Sequence, residues 1–189
     1  MTKILLASKS PRRQQLITTL GYPVEVVSID VDEAIDDPIP ADLVAETLAQ
    51  RKANGYSERL NEDELLVTAD TVVVHNGAVL GKPHSKAQAQ DMLRSLSGDI
   101  HHVYTGVCIK TCHNTITFTE DTKVKFKELT DKEINHYIDT YQPFDKAGSY
   151  GIQEWIGMIG IEWIDGCYYN VMGLPTAHLY SAIKSLLTD

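Results

Sequence analysis

A strand, a turn and a helix follow one another within residues 3–21, whose sequence is KILLASKSPRRQQLITTLG. The mostly apolar run Lys3–Ala7 predicts a buried strand. Ser10 is a favourable N-cap residue, and Pro11 suits the first helical position because it lacks an N–H that would have no partner there. Gly21 can end the helix in the left-handed conformation. The segment therefore predicts a domain that combines strands with helices.

Hydrophobic periodicity and turn residues predict the later elements. In the first half these are a strand over Val24–Ile29, an acidic loop over Asp30–Pro40, a helix over Ala41–Arg59, a strand over Leu65–Ala69 that leads through Asp70-Thr71 into Val72–Val74, and a hairpin at His75-Asn76-Gly77 that returns through Ala78–Leu80. In the second half they are strands over His101–Lys110, Thr115–Thr119 and Thr122–Lys127, a hairpin at Asp165-Gly166 between Gly160–Ile164 and Cys167–Val171, and a last helix opened by Pro175.

Two capping boxes predict further helix starts. Ser85 with Gln88 precedes the helix Lys86–Leu96, and Thr130 with Glu133 precedes the helix Asp131–Tyr141. Leu129 and Ile134 have the spacing of a hydrophobic staple around the second start, which makes that helix the most strongly indicated one.

Strands, hairpins and helices in this order predict an α/β or mixed α+β fold with a mixed sheet. The length suits one domain or two small lobes that share a core. The sequence shows no internal repeat and no linker long enough to separate domains, so we expect a single domain over residues 1–189. No apolar run approaches the roughly 18 residues of a membrane span, and the start lacks the features of a secretory signal. We therefore expect a cytoplasmic protein.

The overall charge restricts the binding partners. A net charge of −9 and a pI near 5.2 oppose sequence-independent binding to nucleic acid or to an anionic membrane, because the global field repels polyanions. A small anionic ligand is compatible with this charge if the positive groups that it needs are local.

The cysteines indicate neither a disulfide framework nor a structural zinc site. Their number, three, is odd. Cys108 and Cys112 lie four residues apart beside His113, but no second ligand pair completes the four ligands of a structural zinc site. We interpret them as ordinary residues around a hairpin turn.

The start of the first helix is a candidate phosphate site. Ser8, Ser10, Arg12 and Arg13 surround the helix N-terminus, where free N–H groups and the helix dipole attract anions. Arginine adds paired donors that match phosphoryl oxygens. The same pattern also fits a capped surface helix whose arginines face water.

Asp70, in Ala69-Asp70-Thr71, follows an apolar strand. It could cap a turn, which is the commoner role of an isolated aspartate. Alternatively, its carboxylate could hold a divalent cation or orient a water molecule.

Three later segments carry glycines together with cationic or polar side chains near predicted strand ends and turns. Glycine permits a ligand to approach the backbone, and a glutamine amide can both donate and accept hydrogen bonds towards a base. Such positions are where α/β domains place their clefts. The segments are Gly81-Lys82-Pro83, Phe144–Gln153 and Tyr168–Pro175.

Together these segments resemble the motifs of the Maf family, house-cleaning pyrophosphatases that act on nucleotides. Ser8-Lys9-Ser10-Pro11-Arg12-Arg13 is similar to the family's S-x-S-P-R-R signature. The remaining motifs occur in the family's order, and they are Ala69-Asp70-Thr71, Gly81-Lys82-Pro83, Leu96-Ser97-Gly98, Tyr104-Thr105-Gly106-Val107, Asp145–Gln153 and Gly173-Leu174-Pro175. The ordered set covers almost the whole chain.

The resemblance implies a long, twisted mixed sheet flanked by helices, with two lobes and a deep cleft. It also implies a requirement for Mg²⁺ or Mn²⁺, a nucleoside triphosphate substrate and frequent homodimers. Ser149 stands where the family motif often has alanine.

The resemblance also assigns roles by position. Asp70 matches the catalytic acid, and Asp70 with Glu33 matches acids near the metal. The residues that would surround the triphosphate are Ser8, Ser10, Arg12, Arg13, Lys52, Lys82 and Lys146, with helix capping as the alternative role of Ser10. Arg13, Thr71 and Gln153 match positions linked to substrate choice in the branch that acts on dTTP and UTP. For Glu33, a solvated acidic loop is the alternative.

The implied reaction is attack of water on the α-phosphorus of dTTP or UTP, which expels pyrophosphate. An ordinary aspartate is a weak base at neutral pH, so activation linked to a metal is favoured for Asp70. The alternatives are a nucleotide-binding regulator of septum formation and cell division, a pyrophosphatase specific for 7-methyl-GTP, and a nucleic-acid-binding module, which the acidity opposes.

Overall fold

The computed structural model of the chain describes residues 2–34 and 39–188. Its strands are β1 Lys3–Leu6, β2 Val24–Val26, β3 Glu64–His75, β4 Ala78–Leu80, β5 Ile100–Lys110, β6 Thr115–Phe126 and β7 Ile161–Asp165. Its helices are α1 Pro11–Thr18, α2 Val44–Asn54, α3 Lys86–Leu96, α4 Asp131–Tyr141, α5 Trp155–Gly160, α6 Tyr168–Met172 and α7 Thr176–Thr188, with a 3-10 turn at Ala147–Ser149. Residues 35–38 of the predicted acidic loop lie outside the described residues.

The seven strands form one mixed sheet, which confirms the predicted fold class. The order is β2-β1-β3-β5-β6-β7, and β4 pairs with β3. β1 lies parallel to both β2 and β3, whereas β4 is antiparallel to β3 and β7 is antiparallel to β6. Among the described residues, no helix is both long and apolar enough to cross a bilayer.

The chain divides into two compact units. The first comprises residues 1–70, 105–120 and 173–189, and the second comprises residues 71–104 and 121–172. Each unit is assembled from separate chain segments, so the division does not mark two consecutive domains. A single domain over residues 1–189 stays a prediction.

The first unit places α2 tightly against strands of the sheet. The hydroxyl of buried Thr68 in β3 donates to the carbonyl of Ala49 at 2.7 Å. At Gly106 in β5, an added Cβ would lie 2.3 Å from the backbone nitrogen of Glu46. Apolar residues of β1, α2, β3, β5 and two adjoining loops complete this core. They are Leu5, Ala49, Ala53, Leu66 and Cys108, with Ala7 just after β1 and Leu60 between α2 and β3.

The second unit has a larger apolar core between its helices and strands. The helices α3 and α4 contact each other, and α4 also contacts α5. Thr130 and Glu133 form the predicted capping box at the start of α4. At α3 only half of the predicted box forms: Ser85 accepts from the N–H of Gln88, but the side chain of Gln88 accepts from the N–H of His84.

Some predicted boundaries in the first half of the chain are wrong. β2 ends at Val26 rather than Ile29, which instead packs against the first unit's core. α2 spans Val44–Asn54 rather than Ala41–Arg59. Its C-cap is Gly55, where an added Cβ would lie 2.2 Å from a methyl carbon of Val31. The helix therefore ends where another chain segment crosses it closely.

The predicted break in β6 is also absent. The sequence places the acidic pair Glu120-Asp121 between two predicted strands, but β6 runs through both residues. Glu120 accepts a hydrogen bond from His178, and Asp121 pairs with His102. Because each carboxylate has a partner, the strand can continue.

The second predicted hairpin is wrong after its turn. Gly166 has a φ of +132° and turns the chain, but residues 168–172 form α6 instead of a strand. This helical turn buries Asn170, whose amide donates to the carbonyl of Val103 and the hydroxyl of Thr122, both at 2.9 Å. The helix α5 was not predicted, because Gly157 and Gly160 obscure its helical pattern.

Candidate active site

The start of α1 is a capped helix N-terminus. Ser10 is the N-cap residue, and its hydroxyl accepts a long, 3.5 Å contact from the N–H of Arg13. The hydroxyl of Ser8 accepts from the N–H of Ser10 at 3.2 Å. Ser10 therefore caps the helix, which is the alternative role that the sequence allowed for it. Ser8 lies beside it and is held by this hydrogen bond.

Arg13 does not extend freely into water, contrary to the surface-helix alternative. Its side chain is half-buried, and its Nε donates to the carbonyl of Gly173 at 2.8 Å. Burial lowers the pKa of Arg13, while the charge of Asp70 raises it and that of neighbouring Arg12 lowers it. Arg13 therefore lies in the electrostatic field of Asp70.

Asp70 lies inside β3 and pairs with a lysine of α2. The Nζ of Lys52 is 2.5 Å from the Oδ1 of Asp70 and 3.1 Å from the Oε1 of Glu33. The side chains of Lys52 and Asp70 are only 13% and 14% exposed. The turn-capping interpretation of Asp70 is wrong, because β3 continues from Glu64 to His75 without a break.

Arg51 holds the acidic segment near this cluster, a role that the sequence did not reveal. Its Nη1 donates to the carbonyl oxygens of Asp32 and Ala34, at 3.0 and 2.5 Å. Glu33, between them, is 55% exposed but reaches Lys52. The neighbouring cations Arg51 and Lys52 thus bind the backbone and the side chain of one acidic segment.

The second unit contains Lys146 in a network of acidic and phenolic groups. Its Nζ lies 2.7 Å from the Oδ1 of Asp145 and 3.1 Å from the Oε1 of Glu154. The hydroxyl of Tyr137 donates to the other oxygen of Glu154 and accepts from the N–H of Gly151 at 3.0 Å. Burial, then the carboxylate of Glu154, raises the pKa of Tyr137, which stays protonated as a donor.

The Gly81-Lys82-Pro83 segment adjoins this network. Gly148 donates its N–H to the carbonyl of Gly81 at 3.1 Å, so a backbone hydrogen bond joins the segments that carry Lys82 and Lys146. Lys82 itself is exposed. Gly148 and Ser149 both have left-handed backbones, with φ values of +66° and +63°.

Gln153 has a buried side-chain oxygen with no hydrogen-bond partner among the described residues. An added Cβ on Gly151 would lie 3.0 Å from the amide nitrogen of Gln153, so this glycine permits the glutamine to lie against the backbone. Thr71 is half-buried in β3.

The structure thus gathers the candidate residues into two groups. The first unit holds Ser8, Arg12, Arg13, Glu33, Lys52 and Asp70, and the second holds Thr71, Lys82, Lys146 and Gln153. Described residues 2–34 and 39–188 include no group of three or more histidine, cysteine or acidic side chains arranged for a metal ion. Cys108 is buried and Cys112 is exposed, in agreement with an ordinary turn.

Comparisons with known proteins agree with these motifs. The family model described as "Maf-like protein" matches residues 3–186. A protein of Phocaeicola vulgatus called dTTP/UTP pyrophosphatase is 48% identical over 185 residues, which cover 97% of this chain and 96% of that protein. A protein of Bacteroides fragilis with the same name is 49% identical with the same coverage.

A solved structure of a nucleoside-triphosphatase / dITP/XTP pyrophosphatase from Mycobacterium abscessus aligns over 98% of this chain and 99% of its own, with a TM-score of 0.47 and 14% identity. We draw nothing from a likeness this weak. The family match over residues 3–186 and the high identity of the two relatives confirm the predicted resemblance, and the chain belongs to the Maf family.

Proposed function

We propose that this protein hydrolyses dTTP and UTP to the nucleoside monophosphate and pyrophosphate. The observation that carries the proposal is the identity of almost half of the residues with proteins named for this activity, over 97% of the chain. Both relatives are called dTTP/UTP pyrophosphatase, which is the activity that the sequence motifs predict.

Cationic and hydroxyl side chains among the candidate residues are the proposed phosphate ligands. In the first unit we assign phosphate contacts to Ser8, Arg12, Arg13 and Lys52. In the second we assign them to Lys82 and Lys146. Cations fixed in partly buried positions stabilise the negative charge that grows on a leaving pyrophosphate, because little solvent screens them.

The Asp70 cluster fits a divalent cation. Two carboxylates converge on the single ammonium of Lys52, at 2.5 and 3.1 Å, so their oxygens already share one cation. Mg²⁺ and Mn²⁺ prefer such oxygen ligands, and Mg²⁺ commonly uses one or two carboxylates together with substrate phosphates. We assign Asp70 and Glu33 as the residues that would hold it. When bound, the ion would neutralise phosphate charge and lower the pKa of a bound water.

Asp70 is the proposed catalytic residue for the attack of water on the α-phosphorus. Its position within β3 fixes its backbone, and its contact with Lys52 fixes one carboxylate oxygen. A carboxylate held in this way can orient a water molecule for in-line attack. Lys52 keeps the carboxylate in place and is also assigned as a phosphate ligand.

Base selection is assigned to Arg13, Thr71 and Gln153. Thymine and uracil present an N3–H donor between two carbonyl acceptors, whereas cytosine presents an acceptor at N3. The side-chain oxygen of Gln153, which has no partner in the described part of the chain, is the group assigned to accept from N3–H, and its amide nitrogen can donate to a base carbonyl. A site built to hydrogen-bond in this way discriminates against a base that lacks the donor.

Pyrophosphate release from a nucleotide panel tests the proposed function. The panel contains dTTP, UTP, CTP, GTP, ATP and 7-methyl-GTP, each with Mg²⁺ or Mn²⁺. We expect dTTP and UTP to be hydrolysed fastest. Preference for 7-methyl-GTP would replace the substrate assignment, and binding without turnover by folded protein would favour a nucleotide-binding regulator.

A further inference from the structure

The carboxylate of Glu154 connects Lys146 to a buried tyrosine. One oxygen of Glu154 lies 3.1 Å from the ammonium of Lys146, and the other accepts from the hydroxyl of Tyr137. The same hydroxyl accepts from the N–H of Gly151, two residues before Gln153. Tyr137 is fully buried in α4. A rigid core residue thus determines the direction of this carboxylate.

The geometry separates the roles of the two acids near Lys146. The side chain of Asp145 is 57% exposed, whereas that of Glu154 is 18% exposed and has Tyr137 as a second partner. Because Asp145 is exposed to water, its ion pair does little to set the direction of the Lys146 ammonium. Asp145 makes the shorter contact with the ammonium, at 2.7 Å, but Glu154 is the acid whose direction a buried side chain sets.

Glu154 is not used as a helix cap, although it occupies the N-cap position of α5. Its side chain makes no capping hydrogen bond to that helix. The carboxylate turns to Lys146 and Tyr137 instead. Glutamate is not among the favoured N-cap residues, so this carboxylate is available for contacts away from the helix.

We propose that Glu154 and Tyr137 are positioning residues that orient the ammonium of Lys146 towards the substrate phosphates. The proposal rests on the proposed function, in which Lys146 binds phosphate. An ammonium on a side chain with 9% exposure is costly to bury without a paired negative charge, and a tethered carboxylate supplies that charge from one fixed direction. The ammonium then meets the phosphate without first being ordered, which favours binding.

Steady-state kinetics of dTTP hydrolysis tests the proposal. We expect Glu154→Ala to raise KM about tenfold and to change kcat less, since a charge-assisted contact that orders Lys146 is lost. Glu154→Gln keeps an oxygen acceptor but loses the negative charge, so it should raise KM by an intermediate amount, about threefold. Tyr137→Phe keeps the ring in the core and should raise KM about threefold, even if Glu154→Ala does not fold.

A double-mutant cycle shows whether Glu154 acts through Lys146. In a Lys146→Ala background, Glu154→Ala should have no further effect on KM, because coupled residues are non-additive. Glu162→Ala, which removes an exposed carboxylate after the same helix, is the control for the change in net charge and should match wild type. Thermal unfolding of each variant separates folding defects from altered binding, since a smaller folded fraction lowers apparent kcat and leaves KM unchanged.

The outcomes distinguish this proposal from the proposed function. Turnover of dTTP by wild type, with an unchanged KM in both Glu154→Ala and Tyr137→Phe, would overturn the positioning role alone. Equal effects of Glu154→Ala with and without Lys146 would also overturn it. Absence of wild-type turnover would overturn the proposed function, and the positioning role with it.

Discussion

Ser149 combines two unfavourable features at one residue. Its φ of +63° is left-handed, and its buried hydroxyl has no hydrogen-bond partner among the described residues. The adjacent Gly148 adopts the same conformation at φ +66° against Val73, whose methyl carbons would lie 3.0 Å from an added Cβ. This turn directly follows Lys146, so the strain lies where the backbone places a candidate phosphate ligand.

Ser149→Ala should stabilise the protein by about 1 kcal/mol, because it removes a buried hydroxyl that gains nothing from folding. The backbone conformation is equally demanding for both residues. Urea unfolding measures the difference. Ser97→Ala is the contrasting variant: the hydroxyl of Ser97 accepts from the N–H of Leu129 at 2.7 Å, so its loss should destabilise. A lower stability of Ser149→Ala would show that its hydroxyl has a partner.

The identity of the candidate residues was accessible from the sequence, but their contacts were not. Asp70 and Lys146 stand in motifs with a recognisable order. The roles of Arg51 and Glu154 depend on atoms far away in the chain or on the direction of a side chain, as in the bond from Arg51 to the carbonyl of Asp32. Local spacing holds no information about such contacts.

At the scale of elements, the backbones of β5 and α2 approach each other closely at Gly106. An added Cβ on Gly106 would lie 2.3 and 2.4 Å from backbone atoms of Glu46 and Ala45. Backbone atoms cannot move aside as a flexible side chain can. The glycine in the Tyr104-Thr105-Gly106-Val107 motif therefore fixes the position of the helix that carries Lys52.

Gly106→Ala should destabilise the protein by about 1–3 kcal/mol, the usual cost of overpacking. Denaturant unfolding measures this change. Gly81→Ala is the matched control, because its added Cβ has no atom within 4 Å, and its stability should stay within about 0.5 kcal/mol of wild type. An unchanged stability of Gly106→Ala would mean that α2 moves away from β5 without cost.

His101 in β5 makes stability depend on pH. It is fully buried, stacks on Phe126 and bonds to the hydroxyl of Tyr150 at 2.7 Å. Burial, helped by the nearby charges of His75 and His102, lowers its pKa to about 3. The unfolded chain therefore binds a proton on this residue near pH 6.5, whereas the folded protein does not.

The contribution of His101 to the free energy of unfolding is therefore fully present above about pH 6.5. It is lost as the pH falls towards 3, by up to about 1.4 kcal/mol per pH unit. His101→Gln does not titrate and can still bond to Tyr150. Its unfolding free energy should therefore fall less steeply between about pH 6.5 and pH 5, as measured by urea unfolding at several pH values. His113→Gln, at an exposed turn, should keep the wild-type slope. Identical slopes for His101→Gln and wild type would contradict the pKa shift.

The elements with complete local signals were predicted well. The capping box of α4 and the proline at the start of α1 gave the correct helix starts. β6 and α6 were mispredicted because their conformations depend on distant partners, such as the bonds of Asn170 to Val103 and Thr122. Turn residues mark where the chain reverses, but distant contacts decide whether a strand or a helix forms after the turn.

At the scale of the whole molecule, the charge of the protein opposes that of its proposed substrate. The net charge is −9, and nucleoside triphosphates are also strongly anionic. Under the proposed function, substrate binding would depend on local positive fields at the assigned cations and on the proposed divalent cation. The global charge instead disfavours nucleic acids, which agrees with a small-nucleotide substrate.

The most direct test of the central claim compares pyrophosphate release from dTTP and UTP by wild type and Asp70→Asn, in the presence of Mg²⁺. Asp165→Asn, an exposed change of the same kind, is the control. The account predicts rapid turnover by wild type and by the control, and a loss of at least about a hundredfold in a folded Asp70→Asn variant. Near-normal turnover by Asp70→Asn would contradict the catalytic assignment, and absence of turnover by folded wild type would contradict the proposed function.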